Sequence, residues 1–441
     1  MIRQRDSKTA EQKLAICFKI YKLIRCLFIL IIVLFAFHFL PLSAHAEKIY
    51  IDITSPGIKK FPIAIQNFVG GKEVSDIIKE DLNFTGIFYC IDDSAQIERP
   101  EDPFNPFNWK GLAVEIVLKG RVVSGRNISV VISAYDVSEE KELLKKEYTA
   151  PASLIRPLAH SISNDIYKLL TGQKGIFRTK ISFVVHHKEQ KNQEIFIMDW
   201  DGHRMQGLNI KANILLTPRW STDGSKLLYT AERNRSWDVY MLEMDTFKEK
   251  NVLAIRGLNI SGNFFPNNRE FVFSSTMDGK SDIYIADIVN MKGRKLISSP
   301  WIDVSPSVSP DGNSLLFVSN RSGTPQIYIA DIDGYGIKRL TFTGSYNTSP
   351  VWSPTGDRIA FVSMSGSKNQ IFTMKPDGSD LRQLTDKGNN EDPSFSPDGR
   401  YIAFTSDRDG VKGIYIMRSN GEEQKRITPK DIKASNPSWS P

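Results

Sequence analysis

The side chains able to carry chemistry are few, and their spacing does not suit it. The chain has 441 residues, with six His and three Cys. Four His lie beyond residue 46: His160, His186, His187 and His203. His160 has no His or Cys at i+3 or i+4, the spacings at which a helix brings two ligands to one face. His186 and His187 are neighbours in an extended stretch, so they point to opposite faces. A Gly-x-Ser-x-Gly nucleophile elbow is absent. Gly70-Gly71-Lys72 lacks the upstream Gly and the following Ser or Thr of a phosphate loop. Asp331-Ile332-Asp333-Gly334 looks like part of a calcium loop, but it falls at a turn position shared with Asp377-Gly378 and Asn420-Gly421. Turn chemistry accounts for all three. The expectation is therefore no catalytic residue, no cofactor and no metal site.

The charge points elsewhere only at first sight. The net charge of +7 suggests a nucleic-acid or membrane partner. Residues 1–46, however, hold seven Lys/Arg and two Asp/Glu. They form a basic stretch, an apolar run from Cys26 to Leu40, and Ala44-His45-Ala46. That order predicts a secretory signal peptide cleaved after Ala46. The 15-residue run would rise about 22 Å as a helix, short of a ~30 Å hydrocarbon core. What remains carries a net +2 and a single Cys, Cys90. The mature protein is thus expected to be exported, without an intramolecular disulfide and without a nucleic-acid partner.

The elements that must position any function are set by a repeat. Pro-x-aromatic-Ser-Pro-Asp-Gly, or a variant of it, starts at 218, 262, 306, 350 and 393, and a truncated copy starts at Pro437. In each copy an apolar run, a turn and a second apolar run follow. In the copy at Pro393 the strands read Ser394–Ser396, Tyr401–Thr405, Ile414–Met417 and Arg426–Thr428. Pro397-Asp398-Gly399 and Asn420-Gly421 are hairpin turns. Four antiparallel strands in about 44 residues is the period of a β-propeller blade. Ile181–Val185, Glu194–Met198 and Leu208–Ile210 match strands two to four, and the tail at Pro437 supplies a first strand. The ring is thus predicted to hold six blades and to close through the C-terminal strand, leaving no sheet edge. Trp439, Trp220, Phe264, Trp352 and Phe395 should be buried between blades.

Residues 47–172 lack the repeat and read as a small α/β domain. Lys48–Ile53 and Pro62–Ile65 are expected strands. Val74–Leu82 is an expected helix with Ile77, Ile78 and Leu82 on one face. Pro100–Trp109 reads as a loop, and Val114–Val123 with Asn127–Val137 as a hairpin. Leu154–Leu170 is a second helix capped by Gly172. Residues 173–177 form a short linker to the propeller at 178–441, so the two domains should touch.

Consecutive antiparallel strands gather the second–third loops and the blade-to-blade crossovers on one face of the ring. The loops there vary, whereas the turns on the other face are stereotyped, so binding is expected at the variable face. The candidates are Asn320, Arg321, Asn347, Glu391, Asp392, Asp407, Arg408 and Asn436.

Taken together, these features resemble the TolB family of the Tol–Pal envelope system. The carrying residues are the junction Tyr167–Ile181 (YKLLTGQKGIFRTKI), the aromatic-Ser-Pro-Asp-Gly repeats and the terminal Trp439-Ser440-Pro441. The likeness covers essentially the whole chain beyond residue 46, although the 1–25 stretch is long for the family and the repeat at Gly262–Asn268 is degenerate. The resemblance implies a non-enzymatic, monomeric adaptor that keeps the outer membrane attached during constriction at cell division. It implies that the propeller face binds the lipoprotein Pal, through Thr217, Ser305, Ser349, Asp392 and Asn436. It also implies that the N-terminal segment Glu47, Lys48, Ile49, Tyr50, Ile51, Asp52, Ile53, Thr54 and Ser55 binds TolA, with other outer-membrane-associated proteins as further partners. The competing reading is a propeller-bearing hydrolase or peptidase. That needs a catalytic domain of roughly 250 residues, and 47–172 supplies only half of it.

Overall fold

The computed structural model describes residues 60–187 and 192–441. The proposed signal peptide and the segment 47–55 lie outside these residues. The N-terminal sheet takes the order β2-β1-β3-β4-β5. Its strands are β1 (Phe61–Ile65), β2 (Phe88–Cys90), β3 (Ile116–Val123), β4 (Asn127–Asp136) and β5 (Lys141–Pro151). β1 runs parallel to both β2 and β3, and the rest is antiparallel. Helix α1 (Lys72–Phe84) buries Val74, Ile77, Ile78 and Leu82. The long helix of residues 155–171 buries Leu158, Ile162, Ile166 and Leu170 and ends at Gly172, whose φ is 73°. That left-handed cap lets the Gly172 N–H reach Lys168 O. The two helices cover one face of the sheet.

Three elements differ from expectation. The stretch read as a loop at 100–109 ends in a short helix, Phe107–Lys110, which seats Trp109 fully buried against the other sheet face. The brief strand β2 adds to the sheet. β5 was not anticipated, because KELLKKEYTAP is charged at most positions. It is an edge strand whose side chains are largely exposed, and Lys residues there discourage pairing with another chain.

Residues 180–441 form six four-stranded sheets, a six-bladed β-propeller. Blade one consists of β6 (Lys180–His186), β7 (Gln193–Asp199), β8 (Gln206–Ala212) and the closing strand Ala434–Trp439. The closing strand pairs Trp439 with Ile181 and Ala434 with Val185. Blades two to six follow in order, each with its first strand on the channel: Ile214–Trp220, Asn259–Phe264, Asp303–Val308, Asn347–Trp352 and Asn390–Phe395. Even the degenerate repeat at 262–268 builds a complete blade. Phe264, Phe395 and Trp439 are buried as expected. Trp220 and Trp352 are only half-buried. They form part of the channel wall, and each indole N–H donates to a carbonyl of the adjacent inner strand, Ser438 O at 3.1 Å and Ser307 O at 3.2 Å.

The two regions belong to one compact unit. Their apolar cores join: Ile166 and Leu170 belong to the same buried cluster as Phe177, Trp200, Tyr401 and Trp439. Phe84 stacks on Tyr401 at 4.9 Å and lies tilted against Trp200 at 4.7 Å. The domain therefore rests on the side of the ring that carries the first–second and third–fourth hairpins.

Candidate functional site

The inner strands share a distortion that shapes the channel. Each has a register shift against its neighbour near its middle. In five of six, the residue at the shift has positive φ and precedes a Pro: Thr217 (48°), Ser305 (53°), Ser349 (52°), Asp392 (56°) and Asn436 (55°). Pro cannot donate to the ladder, so the strand bulges there, and the preceding residue takes the left-handed conformation. The sixth strand has Ser261-Gly262 at this point, and Ser261 has no positive φ. These five positions were expected in the crossover loops. They sit instead within the inner strands, where Thr217, Ser305, Ser349 and Asp392 line the channel.

The cavity they border encloses about 540 Å³ and extends to the Ser-Pro-Asp-Gly turns. Side chains tie the bulges together around the ring. The Thr217 N–H donates to Asn436 Oδ1 at 3.3 Å, and the Thr217 and Ser261 hydroxyls meet at 2.9 Å. Thr405 Oγ1 donates to Asp392 Oδ2 at 3.0 Å. Burial pushes the Asp392 carboxyl above the usual range, and Glu391 adds to this. Burial likewise lowers the Arg219 guanidinium, against the pull of Asp392. The lumen thus mixes proline, aromatic and hydroxyl groups with one cation and one acid.

The candidates on the loop face are already engaged inside the fold. Arg321 packs over Tyr328 (5.0 Å) and Phe317 (5.2 Å) and binds Asp303 at 3.0 Å. Arg408 takes the same place in blade six, over Tyr415 (4.9 Å) and Phe404 (5.3 Å), and donates to Asn390 Oδ1 at 2.8 Å. Asn347 is buried and donates to Gln326 Oε1 and Thr343 O, both at 2.9 Å. Asn320 Oδ1 accepts the Ile302 N–H at 2.9 Å. Asp407 accepts from Asn389, and Glu391 pairs with Lys412 at 2.6 Å. The structure thus separates the candidates into a channel set and a set that rivets the loop face. Neither set is freely exposed.

A second cluster, not legible in the sequence, sits where the domain meets the ring. His160 is 1% exposed. Its Nδ1 lies 2.8 Å from Asp81 Oδ2 on α1, and its Nε2 lies 3.3 Å from Asp201 Oδ2. Asp201 belongs to the third–fourth hairpin of blade one and also binds Arg156 through two bonds, of 2.7 and 2.9 Å. Burial pushes the imidazole down, but Asp201 and Asp81 outweigh it and hold the group up at about 9. Burial raises Asp201, yet His160 and Arg156 outweigh it and hold the carboxyl well below the usual range. Asp81 is raised by its burial. His160, Asp199 and Asp201 carry donor atoms within 4.8 Å of one another, the geometry of a possible metal site. Arg156 and Lys180 already neutralise the two carboxylates, so a dication fits poorly there.

Comparison with known proteins agrees with this architecture. The family model described as the TolB beta propeller domain matches residues 167–441, and the TolB amino-terminal domain matches 49–143. The Tol-Pal system protein TolB of Alcanivorax borkumensis is 29% identical over 243 residues, 53% of this chain and 56% of that one. Its namesake in Geobacter sulfurreducens is 35% identical over 201 residues, 42% of this chain and 46% of that one. The chain thus spans about half the length of the curated relatives it matches. The crystal structure of TolB from Acinetobacter baumannii superposes with a TM-score of 0.78 at 26% identity. That match covers 87% of this chain and 97% of the other.

Proposed function

The chain belongs to the TolB family of Tol–Pal system proteins, and on that premise we propose that it is a non-enzymatic periplasmic adaptor. Its propeller binds the peptidoglycan-associated lipoprotein Pal, and the segment 47–55 binds TolA. Joining these partners holds the outer membrane to the wall and supports envelope constriction during division. In this reading residues 1–46 are the export signal.

One observation supports the reading above the others. The N-terminal domain packs against the hairpin side of the ring, through Asp201, Tyr401 and Arg418. The loop side carries none of these contacts, so a partner can seat there without displacing the domain. A ring face left free by the protein's own domain is what an adaptor with a partner on its propeller requires.

Calorimetry of the chain from Glu47 against the soluble domain of Pal tests the first contact. A micromolar or tighter complex is expected, whereas no detectable heat at 100 μM overturns it. Removing 47–55 should abolish TolA binding and leave Pal binding intact. Turnover above background in an esterase or peptidase screen would favour the hydrolase reading.

A further inference from the structure

One position repeats around the loop face at the end of every crossover, one residue before each inner strand. In blade order from two to six and then one, it is Asn213, Leu258, Ile302, Tyr346, Asn389 and Lys433. Backbone hydrogen bonds to the following blade hold it at the same place. Glu232 O accepts the Asn213 N–H, Leu258 O accepts from Thr276, and Asn320 donates its N–H to Ile302 O. Tyr346 O accepts from Met364, Asn389 O from Asp407, and Lys433 O from His186. The six side chains therefore form a ring around the channel mouth. Half of that ring is apolar: Leu258, Ile302 and Tyr346 stand on the consecutive blades three, four and five. Each is more than a third exposed, which is unusual for such side chains in contiguous positions.

The crossovers widen this arc. Trp301 is 44% exposed and Phe342 is 74% exposed. Both rings are held in place by guanidinium groups, Arg321 at 5.7 Å from the Trp301 ring and Arg339 at 5.1 Å from the Phe342 ring. Aromatic side chains braced in this way lose little freedom on binding, which is the character of interface anchors. The loop face as a whole leans basic. Among the described residues, the segments between strands on this face hold nine Lys/Arg and five Asp/Glu. The corresponding segments on the hairpin side hold seven and eleven.

We propose that the apolar half-ring over blades three to five is the seat of the protein partner, and that the partner presents an apolar prominence with an acidic rim. The inference rests on the reading that the propeller binds Pal, and it assigns that contact to the apolar arc rather than to the polar arc over blades six, one and two. The anchors supply affinity, and the basic surround steers approach and fixes orientation.

The test is calorimetric titration of the chain from Glu47 with the soluble Pal domain, comparing three variants with the parent. The triple variant Ile302→Ser, Phe342→Ser, Tyr346→Ser should weaken binding at least 100-fold, and Phe342→Ser alone about tenfold. Asn389→Ala with Lys433→Ala should change it less than threefold at 150 mM salt. The melting temperatures of the variants are measured in parallel. Should the triple variant melt early, Phe342→Ser alone decides, because that side chain stands clear of the fold. If the parent binds and the apolar variants bind within threefold of it, the half-ring is overturned while the adaptor reading stands. If the parent does not bind at all, both fall.

Discussion

The molecule has two long-range seams, and they are built from opposite materials. The seam that closes the ring is neutral. The Trp439 indole N–H donates to Thr179 Oγ1 at 2.8 Å, Ser440 and Lys180 exchange two bonds of 2.8 Å through backbone and hydroxyl, and apolar side chains fill the rest. The seam between the N-terminal domain and the ring has the ionic knot of His160, Asp81, Asp201 and Arg156 beside its aromatic contacts. Apolar burial and neutral hydrogen bonds depend little on pH. A buried imidazole between two carboxylates depends on it strongly. One seam is therefore insensitive to pH, and the other is conditional on it.

The contrast breaks most visibly at the closing strand. Deleting 436–441 removes most of a strand from blade one, and the thermal transition of the propeller should fall by roughly 10 °C or more. An unchanged melting temperature would mean that the ring does not depend on its closure. Trp439→Ala is a milder version, costing about 3–5 kcal/mol in denaturant unfolding. Asp201→Ala attacks the other seam by leaving Arg156 and a charged His160 without their partner. Its cost, about 3 kcal/mol, should appear as faster proteolysis at the 173–177 linker with little change in the propeller melt.

The pH dependence follows from the direction of each shift. His160 is raised from its ordinary 6.5 to about 9, so its contribution is complete below 6.5 and is lost as pH climbs through about 9. Asp201 is lowered, so its contribution is complete above its ordinary 3.8 and is lost as the solution turns acid. The protection of α1 amides, relative to their base-catalysed intrinsic exchange, should fall between pH 7 and 9.5 in the parent and stay flat in His160→Phe. The smallest effect comes from exposed ions. Lys110 and Glu140 meet at 2.6 Å, but both are nearly half exposed. Lys110→Ala should cost less than about 1 kcal/mol, which separates buried from surface ion pairs.

The fold was legible because the repeat states its own geometry. Pro-Asp-Gly fixes one turn, Asn-Gly or Asp-Gly another, and the β-branched runs between them leave no alternative. β5 was missed because an exposed edge strand has no hydrophobic pattern to read. Topology singles out the loop face, but which of its side chains stand free of the fold was not legible. Polar loop residues such as Asn347 and Arg321 looked available, yet a propeller needs them to tie strand ends to the next blade. Apolar residues in the same loops, Ile302 and Phe342, are the ones left uncovered. The His160 knot was illegible for another reason. Its partners Asp81 and Asp201 lie 79 and 41 positions away in sequence, and neither has a recognisable motif.

Ring closure also has a meaning in time. Trp439 and Thr179 are bonded partners separated by 260 residues. At a synthesis rate of about 5–20 residues per second, β6 is complete roughly 10–50 s before its strand partner exists. Throughout that interval its open edge can pair with any extended chain nearby. A protein finished by its last strand therefore depends on something that keeps the chain apart from others until the end arrives. Holding factors that bind the unfinished chain should matter more for it than for a domain whose strands pair as they emerge.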